Sequence, residues 1–385
     1  MQRHLVSTCL LALLCATASV QAAETDGHLS LSLAPGFDSN PLELPETSLK
    51  KTEGAFYTEL GVDAGLRIKM NRLLSFSMDL DGSVRSFGSD ASDADRVWGQ
   101  ARAGVTLAPY RNGARGFAVM AGGTFGSSRS TYIDPATGES YMMFDGTNDV
   151  PVPDRFDSDT TGVFVDMRWR THERLLFYLD STQEWRRYVE SYEPLLDPLD
   201  DSSLSFQPGV LLDLTSWMKL DVSYSWSDRS YDELAALDAT ATVVPGEQRA
   251  YHDNGMSVTF GFEPLEAFSF AIGTTSSTRE DLYAGYYDNS GTMTFGSFNF
   301  KAGAKTRLNA FVGLRNLEYD NATVDSTTNG DTLDSERKLF VARAEHDLAD
   351  RFVVFGEAGM DKSENNDPLF TYDRTWAHAG LRFRL

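Results

Sequence analysis

Alternation of apolar and polar residues runs through nearly the whole chain, in sixteen stretches separated by gaps that are by turns short and long. A period of two places successive side chains on opposite faces of a strand, so each stretch predicts a strand with one apolar and one polar face. In the clearest example Thr58, Leu60, Val62, Ala64, Leu66, Ile68 and Met70 fall on one face. Tyr57, Glu59, Gly61, Asp63, Gly65, Arg67 and Lys69 fall on the other. Leu74, Phe76, Met78 and Leu80 oppose Ser75, Ser77, Asp79 and Asp81 in the next stretch, and Met218 to Ser227 repeats the pattern. A soluble sandwich alternates too, so the pattern alone does not fix the architecture.

The gaps supply the stronger constraint. Short turns fall at 71–72, 110–114, 171–174, 215–216, 263–266, 304–307 and 347–350. The connections between them, at 39–53, 88–95, 129–158, 191–202, 230–249, 280–291, 320–335 and 362–371, are mostly longer and rich in Asp, Asn, Ser, Gly and Thr. Short turns at one end and long loops at the other describe an all-β, transmembrane, antiparallel up-and-down β-barrel. The count is about 16 strands, with 14 or 18 as alternatives, and an even number leaves both termini on the short-turn, periplasmic side.

The chain opens with a basic start, an apolar run from Leu5 to about Val20 and a small-x-small site before Ala23. This predicts a cleaved secretory signal peptide over 1–22 and a single barrel domain over 23–385. Cys9 and Cys15 both lie in that signal, so the barrel domain holds no disulfide, thiolate metal site or cysteine nucleophile. A formal net charge of −22 removes the basic footprint that a nucleic-acid partner needs. Much of the acid falls in the predicted loops, where it keeps them solvated or holds divalent cations bridging lipopolysaccharide.

Two stretches break phase. Ser181 and Gln183 share the face that Phe177 and Leu179 assign to lipid, which a protomer contact would explain. Met293 and Phe295 are out of step with Phe298 and Phe300, and a bulge near Gly296-Ser297 would restore the phase, because one extra residue flips every later side chain. Trp169, Trp217, Phe262, Phe268, Phe352 and Phe383 lie at predicted periplasmic strand ends, where amphipathic rings form a girdle.

The last residues place Leu385, Phe383, Leu381, Ala379 and Ala377 on one face. This ending resembles the C-terminal signal read by the barrel-assembly machinery of Gram-negative outer membranes, with Leu where Phe is usual. Over the whole mature chain the architecture resembles the outer-membrane porin superfamily. Gly36-Phe37-Asp38-Ser39-Asn40-Pro41 resembles a Gly-aromatic-Asp-x-Asn segment of porin-like barrels and of barrels tied to exopolysaccharide export. In physical terms it is an Asx-type turn closing the first strand. The resemblance implies an outer-membrane channel for small hydrophilic or charged solutes, contact with lipid and lipopolysaccharide, a homotrimer, and no cofactor. An export conduit for a polysaccharide and a non-conducting surface scaffold are the competing expectations.

A sixteen-stranded barrel is too wide for side chains to fill. The predicted lumen face carries Arg67, Lys69, Arg85, Arg102, Asp166, Arg168, Arg170, Lys219, Asp221, Arg315, Arg343, Arg382 and Arg384. Lys69, Arg168, Arg170, Lys219, Arg382 and Arg384 fall near periplasmic strand ends, so a positive inner mouth with mild anion preference is expected. General diffusion porins fold a long loop into the lumen. The matching loop here, 129–158, offers Glu139, Asp145, Asp149 and Asp154 as constriction residues.

No enzyme is expected. The barrel domain has five histidines, His28, His172, His252, His346 and His378, and only His252, beside Asp253, is placed like a surface catalyst. A Gly-x-Ser-x-Gly elbow, a phosphate loop and a metal-spaced His pair are all missing.

Overall fold

The computed structural model describes residues 24–50, 54–112, 115–144, 147–188, 198–283, 285–324 and 331–385, without the side chains of 89, 90, 111, 112 and 144. The predicted signal peptide lies outside them. Strands follow in chain order as β1 (Glu24–Asp38), β2 (Ala55–Lys69), β3 (Leu74–Phe87), β4 (Arg96–Asn112), β5 (Arg115–Ser130), β6 (Met142–Phe144) and β7 (Asp149–Pro151). Next come β8 (Ser158–His172), β9 (Leu175–Tyr188), β10 (Asp201–Asp213), β11 (Met218–Leu237), β12 (Val243–Leu265) and β13 (Phe268–Asp281). The last are β14 (Asn289–Ala302), β15 (Thr306–Thr323), β16 (Thr332–Ala349), β17 (Phe352–Asn365) and β18 (Tyr372–Arg384).

Sixteen of these pair in sequence order, all antiparallel, and β1 pairs with β18 to close the barrel; β6 and β7 form a small hairpin inside the β5–β8 loop. Closure leaves no edge strand with unpaired backbone groups, as a bilayer requires. At the short-turn end the seam is finished by Leu385 N donating to Leu29 O at 2.8 Å. Both Glu24 and Leu385 therefore sit at that end.

The faces are inverted relative to a soluble protein. Leu33, Leu60 and Leu381 neighbour one another across β18–β1–β2 and are 51%, 55% and 54% exposed. An apolar belt of that kind has no cover except lipid. Inside, the lumen-facing Asp38, Phe164 and Val353 are among the most buried groups of the described residues. At the short-turn end the aromatics run around the outside in contact: Trp169 with Phe177, Trp217 with Phe262, Phe262 with Phe270, and Phe352 with Phe383.

The expected bulge in β14 is absent. Its register against β13 and β15 is continuous from Asn289 to Phe300, so Met293 and Phe295 point into the lumen. They fit there because their strand neighbours are glycines. A Cβ on Gly273 would lie 2.5 Å from Phe295 Cζ, and one on Gly313 would meet Met293 Cε at 3.5 Å. Phe295 stacks on Phe311 with centroids 6.4 Å apart, flat against the wall. Tyr178 lies over Gly209 and Trp376 over Gly359 in the same manner. In β9 the phase holds as well, and Ser181 and Gln183 stay on the outer face opposite Phe206 and Leu204.

Candidate lumen and constriction

The register of each strand fixes what faces the lumen: the residues that alternate with the aliphatic belt. Arg67, Lys69, Arg85, Arg102, Asp166, Arg168, Arg170, Lys219, Asp221, Arg315, Arg343, Arg382 and Arg384 all occupy such positions. Most are partnered. Arg85 is held by Glu59 at 2.6 Å, Arg102 by Asp166 at 2.6 Å, and Arg343 by Glu345 at 2.9 Å and Glu357 at 3.4 Å. Asp221 accepts from Tyr178 Oη at 2.7 Å. Among the described residues Arg67 and Arg315 have no ion pair.

The inner-mouth cations expected from the sequence each meet a carboxylate. Lys69 pairs with Glu24 at 2.7 Å, Arg168 with Asp180 at 2.6 Å and Arg170 with Asp213 at 3.4 Å. Lys219 pairs with Glu263 at 2.9 Å, Arg382 with Glu345 at 3.1 Å and Arg384 with Asp347 at 3.0 Å. Each cation has a carboxylate on the same or a nearby strand, and cross-strand neighbours of opposite sign attract. Pairing offsets much of the positive charge at this end, with Glu345 and Asp347 shared among Arg307, Arg343, Arg382 and Arg384.

Between β10 and β14 the middle of the wall is uncharged and rich in hydroxyls. Ser205 faces Ser227, Ser223 faces Ser257, and Thr275 Oγ1 donates to Ser257 Oγ at 3.0 Å. On the opposite wall Phe164, 2% exposed, lies on a floor made by Gly104 and Gly122, with the Arg102 guanidinium 3.6 Å above its ring. A cavity of about 820 Å³ lies against this side, lined by Asp79, Trp98, Gln100, Arg102, Glu184 and Phe156 among others.

At the long-loop end the first loop folds inward. Asp38 ends β1 fully buried and takes Arg374 of β18 in a bidentate grip, Nε–Oδ1 3.2 Å and Nη2–Oδ2 2.7 Å. Asn40 locks the turn: its N donates to Asp38 Oδ1 at 3.1 Å, its Nδ2 to Leu44 O at 2.8 Å, and its Oδ1 accepts Leu44 N at 3.0 Å. Glu43, at φ 55°, then reaches Arg374 at 2.5 Å and Arg96 of β4 at 3.1 Å. Both arginines face the lumen, so the loop is clamped over it. Leu42 packs on the inward cluster of Tyr57, Phe87, Ala91 and Ala94.

The β5–β8 loop docks onto this clamp. Leu49 N donates to Ala136 O at 2.9 Å and Lys50 N to Thr137 O at 3.1 Å. Tyr132 stacks on Tyr141 at 4.9 Å and meets Phe156 edge-on at 4.6 Å. Phe156 carries this loop to the wall of the cavity. Three of the four sequence candidates are described. Glu139 is exposed, Asp149 begins β7, and Asp154 O accepts Asp157 N at 3.0 Å; none of the three lines the cavity, and Asp145 lies outside the described residues. Burial pushes the Asp157 carboxyl above its ordinary value even though it accepts Ser130 N at 2.8 Å.

Sequence reasoning missed Asp38, Glu43, Arg96 and Arg374. The Asp-Ser-Asn-Pro turn was visible, but its partner lies 336 residues further on. His252, the histidine placed like a catalyst, bonds Asp228 through Nδ1 at 2.6 Å on the outer face and meets the Trp226 ring. Its sequence neighbour Asp253 points the other way and holds Arg279.

No family model and no curated protein matches the chain. Solved structures do: OmpT, an outer membrane protein of Vibrio cholerae, is similar at 12% identity over 96% of this chain and 99% of that one, TM-score 0.44. Pseudomonas aeruginosa OprD is similar at 9% identity over 94% and 95%, TM-score 0.47. An anion-selective porin from Comamonas acidovorans is similar at 10% identity over 94% and 100%, TM-score 0.43.

Proposed function

We propose that the chain is a porin-like channel of the Gram-negative outer membrane, with the short turns and both termini in the periplasm. It passes small hydrophilic solutes by diffusion. The supporting observation is the inversion of faces: a lipid-fitted apolar belt outside, and inside a wall of paired charges, hydroxyls and an open cavity of about 820 Å³. The clamped first loop and the β5–β8 loop restrict passage by size at the outer end. Because nearly every lumen cation is paired, charge selection is weak, and the hydroxyl-rich arc favours neutral or mixed-charge solutes. No covalent chemistry is assigned. Partners are lipid, lipopolysaccharide and the assembly machinery, and a homotrimer would cover the outward Ser181 and Gln183.

Refolding the mature barrel into a planar bilayer tests this. Stable single-channel steps with a reversal potential near zero under a salt gradient support it. Silence from a folded, heat-modifiable barrel sinks it and moves the weight to gated polysaccharide export or a scaffold.

A further inference from the structure

Where β9–β12 reach the outer end of the lumen, a buried carboxylate stands without the bonds its neighbours could give it. Asp201 is 5% exposed, and its Oδ2 has no hydrogen-bond partner. Arg186 Nη1 stops 3.9 Å from Oδ2, and Arg229 Nε stops 3.8 Å from Oδ1, both beyond hydrogen-bond reach. The Arg229 Nε is itself buried with no acceptor. Arg249 on β12 repeats this: its Nε is buried without an acceptor, and among the described residues it has no ion pair. Its guanidinium lies 4.6 Å over the Tyr287 ring, which meets Tyr251, which meets Tyr231. Arg279 close by is satisfied, held by Asp253 at 2.7 and 3.1 Å.

A hydroxyl both donates and accepts, so one seated between Asp201 and Arg229 would satisfy both. A carboxylate is the natural acceptor for Arg249. Arg186 and Arg229 lie on either side of Asp201, and among the described residues Arg249 has no ion pair, so guanidinium groups short of a direct carboxylate partner line the patch, with Asp200, Asp232 and Glu184 also nearby. We propose that this patch is a binding subsite for a sugar acid, a ring carrying both hydroxyls and a carboxylate, at the outer entrance of the lumen. The proposal deepens the channel reading and rests on it for access from outside.

Calorimetry on the detergent-folded barrel tests it with glucuronate, glucose and acetate. Glucuronate is expected to bind about tenfold more tightly than either of the others. Arg249→Gln should remove that advantage over glucose, and Asp201→Asn should weaken both sugars, with heat-modifiability confirming that each variant folds. Equal binding of acetate and glucuronate, or full binding by Arg249→Gln, overturns the subsite. A barrel that binds glucuronate but carries no current would sink the channel and leave the subsite. One that conducts without discriminating glucuronate would do the reverse.

Discussion

Arg374 near the start of the last strand grips Asp38 at the end of the first, with Asp38 fully buried and Nη2–Oδ2 at 2.7 Å. The pair closes the β1–β18 seam at the loop end, as the Leu29–Leu385 backbone bond closes it at the turn end. Removing Arg374 leaves the Asp38 carboxylate buried with only the Asn40 N–H, and removing Asp38 leaves the buried Arg374 with Glu43 alone. Asp38→Leu or Arg374→Met singly should cost about 3–5 kcal/mol, and the double variant should recover much of that. The urea midpoint of the heat-modifiable form in lipid vesicles measures both.

Glu43 is the bolt of the constriction, since it joins Arg374 to Arg96 across the outer lumen. Glu43→Gln should release the first loop and raise single-channel conductance by about half or more, on the reading that the loop narrows the lumen. Glu139→Gln, on an exposed residue of the docked loop, should leave it unchanged. Equal conductance in all three proteins would remove the first loop from the constriction.

Neutralising Arg382 and Arg384 should not simply abolish an anion preference. It leaves Glu345 with Arg343 and Arg307 and Asp347 with Arg307 alone, so the double Gln variant should shift toward cation preference, by about twofold in permeability ratio. Reversal potentials under a salt gradient decide this, and an unchanged value would exclude the inner mouth from selectivity.

Gly122 lies where strands come too close for a side chain. A Cβ there would fall 2.6 Å from Gly104 Cα and against Ala103 O, backbone that cannot swing away. Gly122→Ala should destabilise by about 1–3 kcal/mol. Gly88→Ala, with nothing within 4 Å and φ −63°, should stay within about 0.5 kcal/mol. Parallel urea titrations separate the two.

The β11–β12 loop should loosen in acid. Asp238 accepts Thr240 Oγ1 at 2.6 Å, Thr240 N at 2.8 Å and Thr242 N at 3.0 Å, which holds its carboxyl below the ordinary value of 3.8. A lowered folded value means the turn is supported above 3.8 and loses that support as pH falls through the folded value. Hydrogen-exchange protection at Ala241 and Thr242, relative to the intrinsic rate, should be flat from neutral pH to about 5 and fall below it, and Asp238→Ala should show the low protection throughout.

Strand positions, the turn and loop asymmetry and the inward or outward sense of most strand residues were readable from the chain, because a period of two with one greasy face leaves a single consistent phase. Met293 and Phe295 misled for an instructive reason: an apolar residue can face water-filled space when a glycine next door lets it lie flat. The partners of the inner-mouth cations depend on which carboxylate sits on the adjoining strand, and that follows from register, which alternation alone does not set. Glu43 was hidden more deeply. A loop carboxylate reads as solvated until the fold brings Arg96 and Arg374 to either side of it.

The rings lying on glycine give this barrel a second way to set its bore. Strand number fixes the outer circumference, but Tyr178 on Gly209, Phe295 on Gly273 and Trp376 on Gly359 act as paving one ring thick. Any side chain at the glycine would tip the paving upright into the passage. A single substitution on the neighbouring strand, at a residue no solute touches, can therefore narrow the channel while leaving its strand count, its lipid face and its ion pairs as they are.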